Sequence, residues 1–153
     1  MRRWLKITLI VLAVLFVVVQ FIPIAHTNPP VKADIAAPPD VKAVLRKGCY
    51  DCHSNQTVWP WYVHLAPVSW LLWNDVNGGR AKMNFSEWGT YPPDMQAKLM
   101  RKSWHEVSGG DMPPWYYRMM HPPSRLSDAE KATLQRWSAT AASANSGSAS
   151  QSE

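Results

Sequence analysis

The chain has 153 residues, 46% of them hydrophobic and 18% charged, with a formal net charge of +5 and two cysteines. That length accommodates one domain and gives no ground for a second. Three of the 16 cations, Arg2, Arg3 and Lys6, stand at the N-terminus. The remainder is close to balanced, so neither a nucleic acid nor an acidic polymer is called for as a partner.

Residues 1–25 open with those cations and continue in an almost wholly apolar stretch from Ile7 to Ile24. As a helix that stretch would rise about 27 Å, near the roughly 30 Å of a bilayer's hydrocarbon core, and it predicts a single N-terminal transmembrane helix. The only small-x-small cleavage candidate is Pro23-Ile24-Ala25. It is a poor one, which favours a retained anchor over a cleaved signal. Cations ahead of the span keep the N-terminus cytoplasmic and place everything after Ala25 outside.

Residues 26–39 hold Pro29, Pro30, Pro38 and Pro39 and read as a semi-rigid linker. Residues 140–153 are small and polar and read as a disordered tail. The folded domain is therefore expected over 40–139, with four helices. The first is capped by Asp40 and aligns Val41, Val44 and Leu45 on one face. The second runs from Pro67 through Val76 and is ended by Gly78-Gly79. A third starts at Asp94, carries Met100, Trp104 and Val107 as its apolar stripe, and stops at Gly109-Gly110. Ser127-Asp128-Ala129-Glu130 is a capping box for the last, with Leu134 and Trp137 three apart. Nothing between them alternates as strands do, so the domain is expected to be all-α.

The chemistry lies in the run GCYDCHSN. Two thiols one helical turn apart, Cys49 and Cys52, followed at once by His53, form the pattern that adds across both vinyl groups of a haem and ligates its iron. A zinc site would need four ligands where only two cysteines exist. A thioredoxin-like dithiol would need a strand-rich setting. A disulfide between Cys49 and Cys52 would close too small a loop to staple a fold.

A second iron ligand is expected from the run SGGDMPPWYYRMMHPP. Met112 leads because Gly109-Gly110 allows a tight turn and Pro113-Pro114 stiffen the loop after it. His121, held by Pro122-Pro123, is the runner-up. Met119 and Met120 read as core packing, His64 as a bonded core or surface histidine, His105 as solvent-facing and His26 as lying at the membrane exit. Nine tryptophans are material for walling a macrocycle or for building the core. Arg80, Lys82 and the indoles of Trp59 and Trp61 could meet the propionates, although a solvated basic face explains the two cations equally well.

With those residues in view, the chain resembles the bacterial haem-binding domain family of small, exported, single-haem proteins. The resemblance runs through QFIP, TNPPV, GCYDCHSNQTVWPWY, LAPVSWLLWNDVNGGR, NFSEW and DMPPWYYRMMHPPSRLSDAEK. It implies a small cytochrome c-like helical domain wrapped around one covalent haem c. Cys49 and Cys52 would be its thioether sites and His53 the proximal ligand to iron, with Met112 in the distal-ligand loop. Three functions fit. One is a one-electron carrier on the periplasmic face of the bacterial cytoplasmic membrane, not an enzyme, whose redox partners the sequence does not name. Another is a haem enzyme or sensor that binds peroxide or nitric oxide at a vacated distal position. The third is a haem-stabilised module of a respiratory complex.

Overall fold

A computed structural model describes residues 1–149, with side-chain surroundings described to Ala141. Seven α-helices succeed one another with no strand among the described residues: α1 (Arg2–Val19), α2 (Pro39–Gly48), α3 (Tyr50–His53), α4 (Val68–Lys82), α5 (Pro93–Gly109), α6 (Trp115–Met120) and α7 (Asp128–Ala149). Three 3-10 turns, Trp61–His64, Phe85–Thr90 and Pro122–Ser124, connect them. The all-α expectation for the domain is met.

The transmembrane helix expected at the N-terminus is not. No helix among the described residues is long and apolar enough to cross a membrane. The physical reason is where α1 starts and stops. It includes Arg2, Arg3 and Lys6 and ends at Val19, so its continuous apolar part, Ile7–Val19, rises only about 20 Å. At its end Gln20 turns to the domain and pairs with both backbone groups of one residue: its Nε2 donates to the Ala66 carbonyl at 3.2 Å and its Oε1 accepts from the Ala66 N–H at 2.9 Å.

The stretch expected to stand as a proline-rich linker is fastened along the domain instead. The N–H groups of Lys32 and Ala33 donate to the Ser86 carbonyl and that of Ile35 to Phe85. Asn28 Nδ2 donates to the Thr57 carbonyl at 2.9 Å, and Asn55 Nδ2 donates to that of Pro30 at 3.0 Å. Ile35 is buried in the core. Prolines fix extended backbone, which leaves the intervening N–H groups free to pair with a neighbouring segment.

The core gathers Val41, Val44 and Leu45 of α2 with Tyr50, Phe85, Trp88, Leu99 and Val107, and closes with Leu134 and Trp137 of α7. α7 packs mainly against α5 and also against α2. Its start is the expected capping box: the Ser127 N–H donates to Glu130 Oε2 at 2.7 Å and the Glu130 N–H returns to Ser127 Oγ at 3.3 Å. The Glu130 carboxylate also takes Lys47 of α2 at 2.7 Å. α7 continues to Ala149, through part of the stretch expected to be a disordered tail, because alanine is the best helix former. Ser150–Glu153 of that tail lie outside the described residues.

Candidate functional site

α2 stops at Gly48, and Cys49 takes a non-helical φ of −126°. The chain then rewinds for the single turn of α3, whose first bonds both run to the Cys49 carbonyl, from the N–H groups of Cys52 and His53. One turn thus carries both thiols and the imidazole, as their spacing predicts. Both cysteines are free. Burial pushes the Cys49 thiol up to about 12. Burial, then the Asp75 and Asp51 carboxylates, push Cys52 up to about 12 as well.

α4 is built to hold this turn. The expected stop at Gly78-Gly79 does not occur; the helix runs through both to Lys82. Gly79 is used for proximity, because a Cβ built there would lie 2.4 Å from the Cys52 carbonyl oxygen. The end of α4 then places the Met83 carbonyl 3.1 Å from His53 Nδ1. A carbonyl only accepts, so Nδ1 carries the proton and Nε2 keeps its lone pair for another partner. Burial lowers the His53 pKa, against the opposing pull of the Met83 and Gly79 carbonyls, and so favours the neutral ring. A neutral imidazole oriented through its other nitrogen is the arrangement of a metal-ligating histidine.

The opposite wall comes from the end of α5. Gly110 adopts the left-handed conformation, φ +85°, that closes this helix. The N–H groups of Asp111 and Met112 then both return to the Glu106 carbonyl, at 3.0 and 3.1 Å. Pro113 comes next and packs 3.2 Å from the Cβ position of Gly48. Met112 is thereby carried to the turn that holds the cysteines.

Two adjoining cavities meet there. One, of about 110 Å³, is walled by Leu45, Phe85, Leu99, Val107 and Leu134, with Lys82 and Lys102 also on its lining. The other, of about 140 Å³, is lined by Cys52, Asp51, Asp75, Tyr116 and Tyr117. Cys49, His53, Lys82 and Met112 border both. An imidazole and a thioether flank an apolar space whose edge carries two thiols. That donor set fits a haem, which wants apolar walls for its ring, one nitrogen and one soft axial ligand, and thiols at its vinyl edge.

The other sequence candidates go elsewhere. His121 bonds Tyr62 Oη through Nε2 at 3.1 Å and stacks on Tyr117 at 4.3 Å, and it lines neither cavity. His105 is exposed, while His26 packs edge-on against Trp59 and His64. Arg80 is a clamp: its Nε donates to the Ser54 carbonyl at 2.8 Å and its two terminal nitrogens hold Thr27, Asn28 and Thr57. Lys82 does face the site. No tryptophan lines either cavity; Trp88 and Trp137 are core residues. Met119 and Met120, expected in the core, are exposed.

Two phenol–carboxylate pairs escaped the sequence reading. Tyr117 donates to Asp51 Oδ2 at 2.6 Å and Tyr116 to Asp75 Oδ2 at 2.9 Å. They tie α6, which lies just after the Met112 loop, to the cysteine turn and to α4. Burial raises the Asp75 pKa, partly offset by the Tyr116 hydrogen bond. A hydrogen bond to a charged group is worth about 1.5–3 kcal/mol. Tyr117→Phe should therefore lower stability by about that amount, seen as an earlier midpoint in denaturant titration with an unchanged slope.

Comparison with known proteins agrees with this geometry. The haem-binding domain model matches residues 14–140, a stretch that includes the cysteine turn, α4 and the Met112 loop. No curated protein and no solved structure matches the chain. Matched over most of its length, the chain belongs to the haem-binding domain family.

Proposed function

We propose that this protein is a one-electron carrier whose single haem c is joined through Cys49 and Cys52 and held axially by His53 and Met112. The observation that carries the reading is that His53, with Nε2 free, and Met112 border the same two cavities, with Cys49 on both and Cys52 on one. The bound group supplies one reversible electron, and a thioether on its iron raises the potential at which it does so. The chain's own residues bind and insulate it. Leu45, Phe85, Leu99, Val107 and Leu134 keep water from the ring, and the Met83 carbonyl fixes the imidazole. Because His121 is already bonded to Tyr62 and stacked on Tyr117, Met112 is the better placed axial ligand.

The compartment we propose is the bacterial periplasm, on the support of Arg2, Arg3 and Lys6 ahead of an apolar stretch, the order found in export signals. The exposed apolar side chains of α1 would hold the domain beside a lipid surface, without a single-helix span. Attachment is tested on Cys49→Ala/Cys52→Ala. The wild type should keep its pyridine haemochrome spectrum through acid–acetone extraction and the double variant should lose it. Colour retained by the variant would sink covalent attachment. Rapid carbon monoxide binding by the reduced wild type would favour a ligand-binding enzyme or sensor over a carrier.

A further inference from the structure

The face beside the Met112 loop carries a charge pattern that haem binding does not use. A groove of about 400 Å³ runs along Met112 and Pro113 and is lined by Arg118, Arg125, Lys131 and Trp115. Among the described residues Arg118 and Arg125 form no side-chain ion pair, and Lys131 has only exposed Asp128 at 3.8 Å. An exposed pair at that distance does little to neutralise the cation. No carboxylate lines the groove.

α6 makes the surface next to it. Tyr116 and Tyr117 face inward to their carboxylates. Trp115, Met119 and Met120 face out, at 68%, 58% and 56% exposure. Trp115 lines the groove together with Met112 and the three cations, and Met119, four residues on along α6, shares its side of the helix, so an exposed aromatic and an exposed thioether stand beside three cations. Exposed apolar side chains grouped this way mark a contact surface, and aromatic, methionine and arginine side chains are those enriched in interfaces.

We infer that this face docks a redox partner protein whose own contact surface is acidic around an apolar centre. The inference rests on the electron-carrier reading. The charge selects the partner: three clustered cations repel one another until carboxylates face them, and they steer a protein of opposite sign. In the docked pair one electron passes from the reduced haem to the partner's oxidised centre, with no bond made or broken. Met112 would lie between the two.

The test uses the full-length holoprotein and Arg118→Gln/Arg125→Gln/Lys131→Gln. Two probe proteins serve, an acidic plastocyanin-type copper protein and a basic soluble cytochrome c. Calorimetric binding and stopped-flow electron transfer are measured from low to high salt. The wild type should bind the acidic copper protein, reduce its copper(II) to copper(I), and slow as salt rises. The triple variant should be about tenfold slower at low salt and equal at high salt, the scale of electrostatic steering. Its reduction potential and circular dichroism should not change, which separates a lost docking surface from a damaged fold. Trp115→Ser, with all three cations kept, should weaken binding at every salt concentration.

Equal binding of the acidic probe by wild type and triple variant would overturn the docking surface. So would a preference for the basic probe, or capture of the wild type by vesicles of anionic lipid that the triple variant loses. A small uncharged quinol mediator distinguishes the two readings. If it reduces both proteins alike, electron transfer stands whatever the docking result; if it fails to reduce wild type, the carrier reading falls and the docking inference with it.

Discussion

Gly79→Ala is expected to abolish most haem incorporation, whereas Gly78→Ala, one residue earlier in the same helix, should leave it intact. The added methyl at 79 would lie 2.4 Å from the Cys52 carbonyl oxygen, 3.0 Å from its carbonyl carbon and 3.2 Å from its Cβ. Two of those three atoms are backbone and cannot swing aside. The clash must be relieved by moving α4 off the cysteine turn, which also moves the Met83 carbonyl away from His53 Nδ1. Overpacking costs about 1–3 kcal/mol where a core can adjust, and a backbone collision belongs at or beyond the upper end. At 78 a Cβ meets nothing within 4 Å. Alanine there should add up to about 1 kcal/mol of stability through helix propensity. Haem per mole of purified protein, read beside thermal midpoints, checks both. Equal occupancy in the two variants would show that α4 does not brace the attachment turn.

This pair also shows what the sequence could and could not disclose. Two adjacent glycines are a good local reason to end a helix, and here tertiary packing overrides it: the residue that weakens the helix is the one that lets it touch Cys52. The reverse holds at Gly110, where the left-handed conformation ends α5 as the pattern predicts. Some signals complete within a few residues survived folding, although the caps expected of Asp40 and Asp94 did not form, because α2 and α5 begin one residue earlier, at Pro39 and Pro93. The capping box at Ser127–Glu130 formed, and so did the single turn from Cys49 to His53.

Signals that depend on distant partners were hidden. α6 has no apolar stripe because its inward residues are tyrosines held by Asp51 and Asp75, one lying 66 and the other 41 positions away in the chain. Arg80 is a cation that reads as solvated, yet it is spent on the carbonyls of Ser54 and Thr27. Apolar content alone overstated the N-terminal helix, because it could not show that Val19 ends α1 and Gln20 turns to Ala66. The nine tryptophans left two readings open for a similar reason. Composition counts large apolar rings but does not say whether they face a cofactor or one another, and Trp88 lies against Trp137 at 6.1 Å.

Met112→Ala should remove the sulfur-to-iron charge-transfer band from the oxidised spectrum and lower the reduction potential. Thioether ligation favours the reduced state, and axial ligands shift haem potentials within a span of roughly 0.8 V. A fall of tens to hundreds of millivolts is therefore the expected scale. The reduced variant should also bind carbon monoxide far faster than the wild type, since a ligand position has been opened. His121→Ala is the necessary companion. It takes a hydrogen bond from Tyr62 and a stacked ring from Tyr117, so it should lower stability by about 1–3 kcal/mol while leaving the band in place. If the band instead persists in Met112→Ala, methionine ligation from this loop is excluded. If His121→Ala opens the site to carbon monoxide while Met112→Ala does not, the imidazole is the ligand and the Met112 loop only covers it. The two variants together decide whether the haem is closed for electron transfer by a thioether that the turn after Gly110 delivers.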